Sequence, residues 1–286
     1  MIRSSNKRSL SKLDLLSDNI IESVKVIHHK TDFKPEIGII LGTGLGKLVS
    51  DIKIKSAINY TDIPNFLKPT VESHAGRLIF GELSGKRICA MQGRFHYYEG
   101  YDMVDITFPV RVMKGLGIKT LIVSNACGGI NPQFSAGDIM VITDHINLMG
   151  DNPLRGVTDT NLGPRFPDMY NCYDKTLIAL SEKAALNAKI PLRRGVYVGV
   201  LGPNLETAAE YRFFRIIGGD AVGMSTVPEV IVARHIGLRV LGFSVITDMG
   251  LPDAMRSVDF PEVLKVANRA EPHLTRLIRE VVGLIK

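Results

Sequence analysis

Strand-like runs alternate with helix-like segments along almost the whole chain, and this alternation restricts the fold more than any other feature. The β-branched runs IGII (37–40) and TLIV (120–123) are preceded by segments 14–29 and 106–117, whose apolar residues recur at helical spacing. Strands that alternate with helices need crossover connections, which produce a mostly parallel sheet covered on both faces. The sequence therefore predicts an α/β fold with a central mixed, mostly parallel β-sheet flanked by helices.

The length and composition fit one domain with a large core. The chain has 286 residues, of which 45% are hydrophobic, so a sizeable core needs no disulfides or metals. No repeat, low-complexity tract or linker divides it. We therefore expect a single domain over residues 1–286, with residues 1–13 as a flexible terminus. The Gly/Pro-rich stretch 150–168 is predicted to be a long irregular loop.

Composition also disfavours several kinds of protein. The cysteines, Cys89, Cys127 and Cys172, are odd in number and far apart, which favours reduced thiols in a cytoplasmic protein. No spacing of His, Cys or Glu matches a metal motif, so we expect no metal. The net charge of +6 is spread out with no Lys/Arg run above two, which disfavours nucleic-acid binding. No apolar stretch reaches the length of a membrane span.

Polar or Gly-rich sequence follows several predicted strands, at the edge where ligands of open α/β sheets gather. GTGLG offers backbone N–H groups and the Thr43 hydroxyl to an anion, and SNACGG offers the N–H of Ala126. Ser225 stands before a predicted helix and adds a hydroxyl at its N-terminus. Each turn also has a purely structural interpretation: packing for the first two, and an N-cap at Thr226 for the third.

The stretch GRFHYYEG collects charged and aromatic side chains where a turn usually has small ones. Arg94 and His96 lie two residues apart on an extended segment, so their side chains point the same way and could grip one phosphate. By itself the stretch would favour the structural interpretation, a surface arginine and a packed histidine.

Two acidic residues, Glu206 and Asp248, lie at or after the ends of other predicted strands. Glu206 lies at the start of a predicted helix, where it could complement the helix dipole or accept hydrogen bonds from ligand N–H groups. Asp248 closes the last strand beside Thr247. Apolar or aromatic walls are available from Tyr98, Phe166 and Met224. This layout suits a phosphate beside a heterocycle, and spacing alone leads no further.

A run of motifs resembles the trimeric purine nucleoside phosphorylases in order, from about residue 37 to residue 248. The motifs are GTGLG, SHAGRL, QGRFHYYEGY, TFPVRV, NACGG, GDIM, DHINL, NPLRG, RFPDM, ETAAE and VGMSTVPEVIVARHIGLRV. The last of them is highly specific, whereas GTGLG alone would not be. The resemblance implies phosphorolysis of purine nucleosides, with inorganic phosphate as co-substrate, no cofactor, no metal, and a homotrimer.

The resemblance also implies roles for individual residues. It assigns phosphate binding to Thr43, His74, Arg94, His96, Ser225 and the backbone N–H of Ala126. It assigns nucleoside binding to Tyr98, Phe166, Leu205, Glu206, Met224, Thr247, Asp248 and Phe260, with Phe166 reaching into a neighbouring subunit's site. Catalytic roles fall to His96, Glu206 and Asp248.

Two acids give conflicting indications about the base. Members specific for 6-oxopurines present Asn where this chain has Asp248. An amide donates to N7, but an ionised carboxylate only accepts, which suits a 6-amino group. Asp248 must be protonated to donate at N7, and burial or the bound base would decide this. Glu206, in contrast, suits the N1–H of guanine or hypoxanthine.

Two further departures concern the ribose and the base. Phe260 stands near the position where the family often has a His that meets the ribose 5′-hydroxyl, and Leu205 replaces a common Phe. A methylthioadenosine phosphorylase is therefore the main alternative. A catalytically inactive nucleoside-binding protein is the non-enzyme alternative. An NAD-dependent oxidoreductase is disfavoured because the dinucleotide-binding glycine pattern is absent.

Overall fold

A computed structural model describes residues 12–42, 46–68, 70, 75–255 and 257–286 of the chain. Within these ranges one sheet contains β1 (Ile37–Leu41), β2 (Lys53–Asn59), β3 (Arg77–Leu83), β4 (Lys86–Gln92), β5 (Thr120–Gly129), β6 (Ile139–Asn147), β7 (Leu192–Gly199), β8 (Ala221–Gly223) and β9 (Arg239–Met249). The helices that flank it are α1 (Leu16–Lys30), α2 (Met103–Gly115), α3 (Lys175–Ala188), α4 (Ala208–Ile216), α5 (Val227–His235) and α6 (Phe260–Leu284).

The sheet is mixed, and parallel pairings slightly outnumber antiparallel ones. Its order is β2-β3-β4-β1-β5-β8-β7-β6-β9, and β9 also pairs with β5, so that five strands close into a ring. The parallel pairs are β1–β4, β1–β5, β5–β9, β6–β7 and β7–β8. The antiparallel pairs are β2–β3, β3–β4, β5–β8 and β6–β9. The predicted α/β fold class is confirmed.

The central strands are buried on both faces, as their sequences indicate. Every residue of β1 is buried, and the apolar run at the start of β5 is buried as well. Parallel strands covered by helices on both faces lose the alternation of polar and apolar residues. Helices α1, α2 and α5 pack together, and α3 packs against α6. The ends of the strands are therefore surrounded by packed helices.

Strand β2 is missing from the sequence-based prediction. It forms the edge of the sheet against β3, and only Ile58 of its seven residues is fully buried. An exposed edge strand gives neither a continuous apolar run nor clear alternation, so its sequence carries little signal.

The chain start and the long loop can be compared with their predictions. Residues 1–11 lie outside the described ranges, but Leu13 packs against the hydrophobic core and Lys12 pairs with Asp105. Stretch 150–168 is irregular as predicted, apart from one short 3₁₀ helix, Thr160–Leu162. In the described part of the chain, no helix is both long and apolar enough to cross a bilayer.

Candidate active site

A cleft opens at the carboxyl ends of β1, β4, β5, β8 and β9, with further walls from the segment after β7, from α4 and from the start of α6. Of the residues predicted for the site, those that line it are Arg94, His96, Tyr98, Ala126, Leu205, Glu206, Met224, Ser225, Thr247, Asp248 and Phe260. The crossover topology thus brings together side chains that are more than a hundred positions apart in sequence.

Three predicted residues are not part of this described cleft. Thr43 and His74 lie outside the described residues. Phe166 lies beside Pro167 on a separate groove, and 89% of its surface is exposed. Such an exposed phenylalanine contributes nothing to the cleft of its own chain.

Arg94 is a buried guanidinium, only 1% exposed, that ties several elements together at one end of the cleft. Its Nη1 donates to Ser225 Oγ at 2.8 Å, and its Nη2 donates to the Ser124 carbonyl oxygen at 2.8 Å. Its Nε lies 3.5 Å from Glu229 Oε1, a carboxylate that is 3% exposed. The ion pair compensates a charge that would otherwise be costly to bury. This end of the cleft therefore has a fixed positive group beside a hydroxyl.

Thr226 makes this end more rigid at the cost of backbone strain. Its φ of 71° and ψ of −51°, with Val227 N donating to Ser225 O at 2.7 Å, form a γ-turn of the rare positive-φ type. Thr226 occupies the N-cap position of α5, as predicted, but its side chain makes no capping hydrogen bond. Instead Thr226 Oγ1 accepts hydrogen bonds from Arg94 Nη1 at 3.1 Å and from Asn125 Nδ2 at 2.9 Å.

His96 is oriented by Glu99, three residues later. Glu99 Oε1 accepts from the His96 backbone N at 2.7 Å and lies 3.0 Å from His96 Nδ1. Burial alone raises the pKa of Glu99, but hydrogen bonds from His96 and Thr70 outweigh it and hold that pKa at about 2. An ionised Glu99 thus fixes the imidazole through Nδ1. The ring of Tyr98 stacks on that of His96 with centroids 4.7 Å apart.

The two acids lie at the other end of the cleft. Glu206 comes just before Thr207, the N-cap of α4, so it is not in the first turn and the helix-dipole interpretation is wrong. Burial raises the pKa of Glu206, hydrogen bonds from its backbone and from Tyr211 oppose the rise, and Asp248 adds to it. Burial also raises the pKa of Asp248, against a hydrogen bond from Thr247. Both carboxyls are therefore easier to protonate than exposed ones.

The contacts of Thr247 bear on the protonation of Asp248. Thr247 Oγ1 lies 3.1 Å from the Cys127 carbonyl oxygen and 2.9 Å from Asp248 Oδ1. A hydroxyl carries one proton, and a carbonyl oxygen only accepts. Donation to Oδ1 favours the ionised carboxylate, so the pKa of Asp248 is raised by burial and in spite of this contact.

Apolar side chains form the remaining walls. Val258, Phe260 and Val263 line one side, and Leu205 and Met224 line others. Phe260 and Leu205 are both more than half exposed, so each closes the cleft toward solvent only in part. Within the described ranges no group of three or more His, Cys, Asp or Glu side chains is arranged to hold a metal ion.

Sequence reasoning missed four residues that shape the cleft. Asn125 and Thr226 support Arg94, Glu99 orients His96, and Tyr211 donates to Glu206 Oε2 at 2.9 Å. The spacing of three between His96 and Glu99 resembles a capping box and could have indicated that pair. Tyr211 has helical spacing typical of a core residue, which gives no sign of a polar role.

Comparisons with known proteins agree with this geometry. A family model of the phosphorylase superfamily matches residues 36–283. The chain is 50% identical over 268 residues to purine nucleoside phosphorylase 1 of Bacillus subtilis (strain 168), covering 94% of this chain and 99% of that protein.

Solved structures show the same likeness. The purine nucleoside phosphorylase of Schistosoma mansoni in complex with adenosine is 40% identical with a TM-score of 0.90, covering 94% of this chain and 98% of that one. A schistosoma purine nucleoside phosphorylase in complex with hypoxanthine is 40% identical with a TM-score of 0.89 and the same coverage. The chain belongs to the phosphorylase superfamily and, within it, to the purine nucleoside phosphorylases.

Proposed function

We propose that the chain is a pentosyltransferase that catalyses the reversible phosphorolysis of purine ribonucleosides and 2′-deoxyribonucleosides to the free base and (2-deoxy)ribose 1-phosphate. One observation carries this proposal: a buried cationic and hydroxyl-rich end and a carboxyl-rich end lie in one cleft, with Tyr98 and Met224 among its walls. An anion fits the first end, a purine fits the second, and a sugar joins them.

The reaction exchanges one bond at the anomeric carbon for another. The N9–C1′ bond breaks, its electron pair goes to the purine, and a phosphate oxygen forms the new bond to C1′. The sugar passes through an oxocarbenium-like state, which an anion held by Arg94, His96 and Ser225 stabilises electrostatically. Fixing both substrates in one cleft also removes much of the entropic cost of their encounter.

The purine leaves as a neutral base if it gains a proton as the bond breaks. Asp248, which lines the cleft and whose pKa is raised by burial, is the group we assign to N7. In its neutral form Asp248 donates at N7, and its other oxygen accepts from a 6-amino group. Glu206 accepts from the N1–H of a 6-oxopurine. We therefore propose that both 6-oxo and 6-aminopurine nucleosides are substrates.

The remaining assignments rest on the family. We propose that residues 1–286 form one domain, that the enzyme is a cytoplasmic homotrimer in purine salvage, and that it needs phosphate but no cofactor or metal. Thr43 and His74 are assigned to phosphate together with the N–H of Ala126. Phe166 is assigned to a neighbouring subunit's nucleoside site, and its exposure on its own chain supports this.

A substrate panel tests the proposal. Inosine, guanosine, adenosine and methylthioadenosine are each incubated with and without phosphate, and release of the base is followed by ultraviolet absorbance. We expect base release from the first three only with phosphate. No turnover of any nucleoside, combined with measurable binding of bases, would instead support an inactive nucleoside-binding protein.

A methylthioadenosine phosphorylase is the second candidate, because Val258, Phe260 and Val263 give the cleft an apolar wall that would accept a 5′-methylthio group. The same panel separates the two functions. A strong preference for methylthioadenosine over inosine and guanosine would favour the second candidate and overturn the first.

A further inference from the structure

We propose that Tyr211 is a positioning residue that holds the Glu206 carboxylate in place for reading the N1–H edge of a 6-oxopurine. The inference rests on the proposed function, because it assigns the carboxyl-rich end of the cleft to the base. It adds a residue from α4 to the carboxyl-rich end of the cleft.

Tyr211 is the side chain that anchors Glu206. Glu206 precedes the N-cap Thr207, so the hydrogen bonds of α4 do not fix its position. The Tyr211 hydroxyl donates to Glu206 Oε2 at 2.9 Å, and Tyr211 itself is 3% exposed and lines the cleft. A buried phenol that is fixed by packing gives a carboxylate on a connecting segment one preferred orientation.

Two glycines show how closely Tyr211 packs between the acids. A Cβ at Gly250 would lie 1.9 Å from the Tyr211 ring, so a side chain there is incompatible with this ring position. A Cβ at Gly128 would lie 3.2 Å from the Tyr211 hydroxyl and 3.3 Å from Asp248 Oδ2. The phenol and the second acid therefore approach the same glycine, and the ring contacts the turn that follows Asp248.

The hydrogen bond also has an electrostatic effect. Burial and the Glu206 and Asp248 carboxylates raise the pKa of Tyr211, so the phenol stays protonated and remains a donor. Its donation favours ionised Glu206, against burial and against the negative charges of Asp248 from β9 and Glu210 from α4. Tyr211 thus opposes protonation of Glu206 and favours its ionised form, which accepts a hydrogen bond from N1–H.

Tyr211→Phe removes this donor and keeps the ring. We expect KM for inosine and guanosine to rise roughly tenfold, as for a hydrogen bond to a charged group, with KM for phosphate unchanged. The acid limb of kcat/KM for inosine should move to higher pH, because Glu206 becomes easier to protonate. The matched control is Tyr173→Phe, which removes a buried hydroxyl that contacts His145 away from the cleft.

The same substitution made in a Glu206→Gln variant distinguishes a positioning role of Tyr211 from general damage to the protein. In Glu206→Gln, whose side chain carries no charge, adding Tyr211→Phe should neither raise KM for inosine much further nor shift the acid limb. The proposal is overturned if Tyr211→Phe matches wild type, if it shifts the constants for phosphate and inosine equally, or if its effects persist undiminished in Glu206→Gln.

A subtler substitution covers the case in which Tyr211→Phe does not fold. Difluorotyrosine placed at position 211 by codon suppression keeps the shape of the side chain and makes its hydroxyl a stronger donor. The acid limb should then move to lower pH, and an unmoved limb would overturn the proposal.

A binding experiment tests Tyr211 even if no nucleoside is cleaved and the proposed function fails. Calorimetry measures the binding of hypoxanthine to wild type and to Tyr211→Phe, and we expect roughly tenfold weaker binding to the variant.

Discussion

In the proposed function, Asp248 decides whether the cleft donates a hydrogen bond to the purine edge or only accepts one. Its carboxyl is buried enough to have a raised pKa, and Thr247 contacts one of its oxygens at 2.9 Å. An amide at this position would always present an NH2 group that donates and an oxygen that accepts. A carboxyl can change between a donor and an acceptor-only form, so one residue can serve two classes of base.

Replacing Asp248 with Asn should shift the base preference toward 6-oxopurines. The amide donates to N7 and to a 6-oxo group, but it has no acidic proton to give a leaving adenine. We expect the ratio of kcat/KM for inosine to that for adenosine to rise at least tenfold, about 1.4 kcal/mol in relative barrier. Steady-state kinetics with both nucleosides measure this ratio, and an unchanged ranking would contradict our account of base reading.

The γ-turn at Thr226 shows how a short element can hold strain for a site. A β-branched residue with positive φ costs about 1–3 kcal/mol and persists only where its surroundings enforce it. Here the compensation comes from Arg94 and Asn125, which both donate to the Thr226 hydroxyl. The turn also fixes Ser225 at the N-terminus of α5, where a bound anion is favoured.

Thr226→Gly should weaken phosphate binding and leave the thermal stability of the protein nearly unchanged. Glycine adopts positive φ without strain, but the hydroxyl that accepts from Arg94 is lost. We expect little loss of thermal stability, because these effects oppose each other, and a rise in KM for phosphate of roughly tenfold. Thr226→Ser, which keeps the hydroxyl, is the control and should retain wild-type KM. Equal values of KM in both variants would contradict this role.

How far the sequence predicts this site depends on where each residue gets its role. Arg94 and Ser225 follow buried strands and Asp248 lies near the end of one. The continuous apolar runs of such strands can be recognised, so the common location of these residues could be predicted. Tyr211 has the spacing of a core residue. Its hydroxyl lies beside Glu206 because α4 packs against Gly128 of β5 and against Gly250, which follows β9. Contacts of this kind have no local sequence pattern.

The assembly of several chains is predicted from Phe166 and from the family. Sedimentation equilibrium should give about 94 kDa, three chains of 31.4 kDa each. Phe166→Ala should raise KM for inosine roughly tenfold and leave KM for phosphate unchanged, because the proposed role of the ring is to contact the nucleoside of a neighbouring subunit. A fully active single chain, or an unchanged KM for inosine, would contradict this arrangement.

Burial of Asp248 should also be visible in global stability. Its pKa is higher in the folded protein than its ordinary value of 3.8, so the folded state keeps a proton that the unfolded chain has released. Stability from this group is therefore lost as pH rises from about 3.8 through the folded pKa. In Asp248→Asn this loss disappears, so the variant should gain stability relative to wild type across that range.

Urea unfolding of both proteins at one concentration, between pH 4 and 8, measures this difference. A difference in unfolding free energy that does not change with pH would show that Asp248 titrates alike in the folded and unfolded states.

In the proposed reaction a phosphate oxygen attacks the anomeric carbon. The most direct test supplies inosine with phosphate labelled with ¹⁸O at all four positions and analyses the sugar product by mass spectrometry. Because C1′ forms its new bond to a phosphate oxygen, we predict ribose 1-phosphate that retains all four labelled oxygens, in equal amount to hypoxanthine. Unphosphorylated ribose carrying oxygen from water, or base release independent of phosphate, would contradict the account.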